Sequence, residues 1–314
     1  MIKVFAFEPE AIFDPKFQQA LESFGFHHGR LVGRVPKDWR KKVGDIYRSK
    51  HPEDKAMEIA LERLHKKRAI QKVPLSQTDP QSWMDKAIAT DPDRAHGIIC
   101  SESQAESRTD PRIINRNELN DDNRIWNIET GVRKQRTAKE MAECVRVLLR
   151  YSSLIRFIDP YFSGEARHTE FIDECLSVLR TERVGKLTDV EFHFCFFALA
   201  SDDLETRRNR SRPVFDTIVS KVQKSIVTGH EVTTKLFLWS RVESGDKFHE
   251  RFVSTDCATI EFGGGLDAGK SYEKTSVKLM SKTAHEELEK TYSPDSEAYD
   301  LLHHEVLQPS TRRT

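Results

Sequence analysis

Hydrophobic residues recur at two periods along this chain, and the alternation between them marks out its elements. Thr137-Ala138-Lys139-Glu140 reads as a capping box, with Met141, Val145, Leu148 and Leu149 following at helical spacing. The run from Leu154 to Phe162 is an apolar strand stopped by Pro160. A helix is predicted over 168–180, with Phe171, Cys175, Leu176 and Leu179 on one face. Val190, Phe192, Phe194 and Phe196 alternate, as in a half-buried strand. A polar, arginine-rich helix fills 203–227, strands follow at 235–239, 248–253, 259–262 and 276–280, and a helix at 283–292 closes the run. Strands interleaved with helices predict an α/β domain whose mixed, largely parallel sheet is covered on both faces.

The first 135 residues give a weaker pattern. A short strand is expected at 1–7 and a helix over 14–24, with Phe17, Ala20, Leu21 and Phe24 aligned. Met57, Ile59, Ala60, Leu61 and Leu64 predict an amphipathic helix over 56–69, and Ile98-Ile99-Cys100 a strand. From 73 to 135 the chain is polar and loop-rich, with Asp-Pro turns at 79, 91 and 110. Two domains follow: a smaller, α-rich α+β domain over 1–135 and an α/β domain over 136–314.

Charge sharpens that division. Residues 29–72 hold fourteen cations against six acids, although the whole chain balances 50 Lys+Arg against 50 Asp+Glu. A local excess of this size suits either a nucleic-acid backbone or a solvated helix face balanced by acids elsewhere. Trp39 beside Arg40 would stack on a base or anchor its helix. A second basic cluster, Arg207-Arg208-Asn209-Arg210-Ser211-Arg212, is expected to flank a substrate channel, with Arg207, Arg208, Arg210 and Arg212 as phosphate contacts. The five cysteines are scattered and show no C-x-x-C spacing, which points to free thiols rather than zinc or disulfides. No apolar run approaches the ~18 residues of a membrane span, and the first residues lack a signal-peptide pattern, so a cytoplasmic protein is expected.

One segment carries chemistry. His249-Glu250-Arg251 is followed after four residues by Asp256, and after six more by Gly263-Gly264-Gly265. On a strand, His249 and Arg251 would point the same way. A glycine turn lets backbone amides approach an anion. Nucleophile, cation and anion-tolerant loop together would attack a phosphodiester without a metal or other cofactor. The bare triad arises by chance only ~0.1–0.2 times in a chain of this composition.

The segment resembles the H-x-K-x4-D-x6-G-S-x-N signature of the phospholipase D superfamily. His249, Asp256 and Gly263 are in register, Arg251 replaces lysine, Gly264 replaces serine, and Leu266 stands where asparagine belongs. The same stretch is similar to the phospholipase D-like domain that follows microtubule-interacting-and-trafficking modules, in which catalysis is thought lost. Ile158-Asp159-Pro160-Tyr161-Phe162 resembles the opening strand of a phospholipase D half, so the resemblance covers roughly 136–295. It implies a phospholipase D-like sheet and a phosphohistidine intermediate on His249, with Arg251 holding the phosphate. Asp256 would brace the strand turn, and Asp267 or Glu273 would orient the histidine ring. Amides of Gly263, Gly264 and Gly265 would replace the missing donors. The chemistry needs two histidines and the chain has one motif, so it implies a homodimer with the site on its axis. His65-Lys66-Lys67 lacks the aspartate and reads as a helix face. One-motif relatives are often nucleases or restriction enzymes. The resemblance therefore points to a nuclease acting on DNA, with an antiviral defence effector working beside partner proteins as one setting. A phosphate- or membrane-binding module without catalysis is the alternative.

Overall fold

Short β-branched and aromatic runs build two separate sheets. The computed structural model describes residues 1–13, 20–74, 82–187, 189–199, 202–227, 232–241 and 248–309. The chain divides into two units, residues 1–130 and 131–314.

In the first unit, β1 (Lys3–Phe7), β2 (Arg30–Arg34), β3 (Ile70–Lys72), β4 (Gly97–Cys100) and β5 (Ile113–Asn115) pair in the order β3-β2-β1-β4-β5, every pair parallel. The unit is thus an open parallel α/β sheet rather than an α-rich α+β domain. Its crossovers use α1 (Trp39–Lys50), α2 (Ala56–Lys66), α3 (Trp83–Ile88) and α4 (Glu102–Glu106). β1 lies in the middle with Val4, Phe5, Ala6 and Phe7 fully buried, as a strand covered on both faces must be. β2 hides its apolar Leu31 and Val32 between two arginines, which masks the period in sequence. Trp39 is fully buried and its indole N–H donates to the Phe7 carbonyl, so it anchors α1. Most of the helix expected over 14–24, and the Asp79-Pro80 turn, lie outside the described residues.

The second unit begins at Gly131, because β6 (Gly131–Gln135) pairs with β12 (Lys274–Leu279) and so belongs to the later sheet. Between them come α5 (Ala138–Tyr151), β7 (Leu154–Ile158), α6 (Ala166–Glu182), β8 (Asp189–Cys195), α7 (Leu204–Val222), β9 (Thr233–Arg241), β10 (Phe252–Thr255) and β11 (Thr259–Phe262). After β12 follow α8 (Lys282–Thr291) and β13 (Tyr299–Leu307). The eight strands order as β13-β9-β8-β7-β10-β11-β12-β6. Only β7–β8 and β8–β9 pair in parallel. The remaining five pairings are antiparallel, which corrects the expected largely parallel sheet. The connection from β10 to β11 is too short for a crossover, so those strands can only turn back as a hairpin.

Both faces are covered. Phe157, Phe192 and Phe194 pack with Phe171 of α6 and Phe215 of α7. On the opposite face Ile158, Phe237, Trp239 and Phe252 join Phe248, Leu288 and Tyr292. Thr137 caps α5 as predicted, its hydroxyl accepting the Glu140 amide.

Candidate functional site

Strand ends converge where β7 stops and β10 starts. The β10–β7 register sets Phe252 opposite Ile158. Arg251 immediately precedes β10, and the Phe262 amide donates to the Arg251 carbonyl at 2.9 Å. The glycine run after β11, Tyr161 and the first turn of α6 meet at the same end.

The motif residues are not all brought together. His249 is solvent-exposed and precedes β10, so the strand geometry assumed for His249 and Arg251 does not hold. Arg251 is half-buried, its guanidinium carbon 5.1 Å from the centroid of the Tyr161 ring. Its Nε is buried without a hydrogen-bond partner among the described residues. Asp256 lies past the other end of β10, roughly 16 Å along an extended strand from Arg251. There it accepts the Ser153 amide at 2.9 Å and the Ser153 hydroxyl, joining the β10–β11 turn to the start of β7. Its contacts with Ser153 thus lie at the opposite end of β10 from Arg251.

The glycine run also serves the fold. Gly263 N–H donates to the Ser276 carbonyl at 3.0 Å and Gly264 N–H to the Thr275 hydroxyl at 3.0 Å. Gly265 N–H donates to the Phe262 carbonyl at 3.3 Å. All three amides predicted to bind phosphate are thus engaged internally. Gly265 has φ 108°, and a Cβ there would meet Asp267 Oδ1 at 2.6 Å, so the turn demands glycine for close packing. Leu266, where the family pattern has asparagine, is buried, and its amide donates to Asp159 Oδ2 at 2.8 Å.

Beside this turn lies a charge cluster that the motif does not announce. Asp159, His168 and Asp267 each offer a ligand atom, all within 4.8 Å of one another. Asp159 is 2% exposed and His168 1%. Burial lowers the His168 pKa against the pull of Asp159 and Asp267, which favours the neutral ring. The spacing would suit a cation, but the oxygens are already committed. Asp159 accepts the Tyr161 amide at 2.9 Å on Oδ1 and the Leu266 amide on Oδ2. Asp267 pairs with Arg136 through Oδ1 and with Arg167 at 3.4 Å through Oδ2. Both guanidiniums neutralise Asp267, and Asp159 is taken up by two backbone amides, so the donor set does not fit a divalent ion. Glu273 also faces Arg136, at 3.8 Å. Asp267 and Glu273, expected to orient His249, are thus both engaged by Arg136. The one signal for the cluster in sequence is Asp159-Pro160, which by itself marks only the end of a strand.

The remaining predicted contacts disperse. Arg207 pairs with Asp300 at 3.1 Å, Arg210 with Asp202 at 2.6 Å and Arg212 with Asp216 at 2.9 Å. Arg208 reaches the Leu301 carbonyl at 3.4 Å. Their helix packs on β13, the far edge of the sheet from the glycine turn. In the first unit the picture reverses. A groove of about 580 Å³ between α1 and α2 is lined by Arg34, Lys37, Arg40 and Lys41, none in a salt bridge among the described residues, and also by Arg48 and the acids Asp38, Glu58 and Glu62. His193 is a packed core histidine: its Nδ1 accepts the Trp239 indole N–H at 3.2 Å, and its ring stacks on Phe237. No helix among the described residues is long and apolar enough to cross a membrane.

No protein-family model matches the chain, and no curated protein matches it. Among solved structures, the archaeal chromatin protein TrmBL2, reported with a novel mode of DNA binding, is similar at 11% identity over 52% of this chain. The chain spans about half of that protein, 51%, and the TM-score is 0.23. A superposition that loose establishes neither a shared fold nor a shared ligand.

Proposed function

We propose that the second unit is a phospholipase D-like, phosphodiester-directed domain acting as a metal-independent nuclease. The observation that carries this reading is the state of Arg251. Arg136, Arg207, Arg210 and Arg212 are each held by a carboxylate, whereas the Arg251 side chain makes no hydrogen bond or ion pair among the described residues. A guanidinium kept free at a strand end is ready to hold the two non-bridging oxygens of a phosphodiester. His249, exposed and two residues before Arg251 in sequence, is the nucleophile in this reading.

In the reaction, the ring nitrogen of His249 attacks phosphorus and the bond to the leaving oxygen breaks. That oxygen takes a proton from the partner's His249. Water then attacks the phosphohistidine, passes its proton to the partner's ring and frees His249. One motif per chain makes a two-fold dimer part of this mechanism.

A second reading, phosphate binding without chemistry, is favoured by the engaged amides of Gly263, Gly264 and Gly265. One oxyanion donor is worth ~3 kcal/mol in the transition state, and those three are not available. The test is incubation with single- and double-stranded DNA and RNA in EDTA, beside His249→Ala and Arg251→Ala. Cleavage lost in His249→Ala supports the nuclease. Binding without cleavage, weakened by Arg251→Ala, supports the second reading. Neither binding nor cleavage overturns both.

A further inference from the structure

Large aromatic rings in the second unit are nearly all buried, with Phe157, Phe192, Phe194 and Phe262 at 2% exposure or less. Tyr161, Phe197 and Tyr272 are not, and the first two follow β7 and β8 beside Arg251. Tyr161 is 51% exposed and Phe197 60% exposed, and their rings stack on each other at 5.2 Å with 20° between planes. The Arg251 guanidinium lies over Tyr161. The backbone beneath is fixed: the Tyr161 amide is held by Asp159, and the Phe196 amide donates to the Trp239 carbonyl at 2.8 Å. A rigid, exposed ring pair beside an uncommitted cation combines a flat apolar surface with a phosphate contact.

From this juxtaposition we infer that Tyr161 and Phe197 form a stacking platform for an unpaired nucleobase, and that the site takes single-stranded rather than duplex nucleic acid. The inference rests on the phosphodiester reading of Arg251 and names the substrate class of that site. A base in a duplex has both faces occupied by its neighbours. An unpaired base can swing out and extend the Tyr161–Phe197 stack while its own phosphate meets Arg251. Aromatic stacking of this kind tolerates any base, so affinity follows strandedness more than sequence.

The test uses the full chain in a His249→Ala background, so that no ligand is consumed. Fluorescence anisotropy follows a short labelled oligothymidine, the same strand in a duplex, and an abasic strand of equal length. The single strand should bind more tightly than the duplex. Phe197→Ala, which leaves the Arg251–Tyr161 contact in place, should weaken oligothymidine on the order of ten-fold and leave the abasic strand unchanged. Tyr161→Ala should also weaken oligothymidine, and Tyr161→Trp should retain binding. Arg251→Ala should weaken both strands alike. If Arg251→Ala weakens both but neither ring variant has an effect, the platform is overturned and the phosphodiester reading stands. If Arg251→Ala changes nothing, that reading fails with it. Loss of abasic binding in Phe197→Ala would make the rings mere supports for the guanidinium and overturn the platform. Binding to anionic phospholipid vesicles that Phe197→Ala abolishes, with oligothymidine unaffected, would assign the rings to a membrane and overturn it also.

Discussion

Asp256 accepts the backbone amide of Ser153 at 2.9 Å across 103 residues of sequence. The same carboxylate takes the Ser153 hydroxyl and lies 3.4 Å from the Leu154 amide, so one side chain ties the β10–β11 turn to the entry of β7. That makes the motif aspartate a brace. Asp256→Ala should cost ~2–3 kcal/mol, the worth of hydrogen bonds to a charged group left unmade. Urea denaturation should show a lower midpoint, while oligonucleotide affinity of the folded variant stays at the parent value. A variant of parental stability that no longer binds would put Asp256 back in the site.

Glu182 sets an acid limit. Its burial alone would raise its pKa, but hydrogen bonds and charge from Arg146 and Arg150 outweigh this and hold it at about 2. Arg150 is fully buried beside it, at 2.5 Å. A carboxylate depressed from 4.5 to about 2 contributes stability in full above pH 4.5 and loses it as pH falls toward 2. Solvent screening of this partly exposed carboxylate reduces the contribution to about 1 kcal/mol. Chemical denaturation of parent and Glu182→Gln should therefore differ most at neutral pH and converge between those limits. A gap that widens on acidification would contradict the pairing.

The Asp159–His168–Asp267 cluster should ignore divalent ions. Arg136 and Arg167 already occupy Asp267, and two backbone amides occupy Asp159. Thermal melting should be the same in EDTA, magnesium and zinc. Arg136→Ala should lower the midpoint, because it leaves a partly buried carboxylate with one partner fewer. A metal-dependent rise in the parent would assign the cluster to a cation after all.

Much of the second unit was legible in the chain. Phe192 and Phe194 alternate because β8 is covered on both faces by different partners, and Thr137 marks its helix because a capping hydroxyl is a local event. β13 escaped because His303, His304 and Glu305 interrupt its apolar positions on an edge strand. In the first unit, β2, β3 and β5 are three to five residues long, and only pairing beside β1 makes them strands. The site divides the same way. His249, Arg251 and the glycine run stand out as a motif, but spacing says nothing about where an amide points. The glycine amides turn inward, and Asp256 falls at the wrong end of its strand. Arg136, Asp159 and His168 meet Asp267 through contacts that span up to 131 residues, which no local pattern encodes.

The two basic clusters should behave oppositely toward nucleic acid. A cation bound to a carboxylate must give up that partner before it can hold a phosphate, so its net gain is small. Arg210 and Arg212 are in that position. Arg34, Lys37, Arg40 and Lys41 are not, and they line one groove. Removing one cation that neutralises a phosphate should flatten the dependence of log affinity on log salt by ~0.7 for a single strand. Lys37→Ala with Lys41→Ala should therefore weaken binding of oligothymidine at low salt and reduce the slope by one to two such steps. Arg210→Ala and Arg212→Ala should leave the slope unchanged. Because these residues are largely exposed, melting temperature should stay constant in all of these variants, so a change in affinity reports charge and not folding. Equal slopes for both sets would remove the groove from the binding surface.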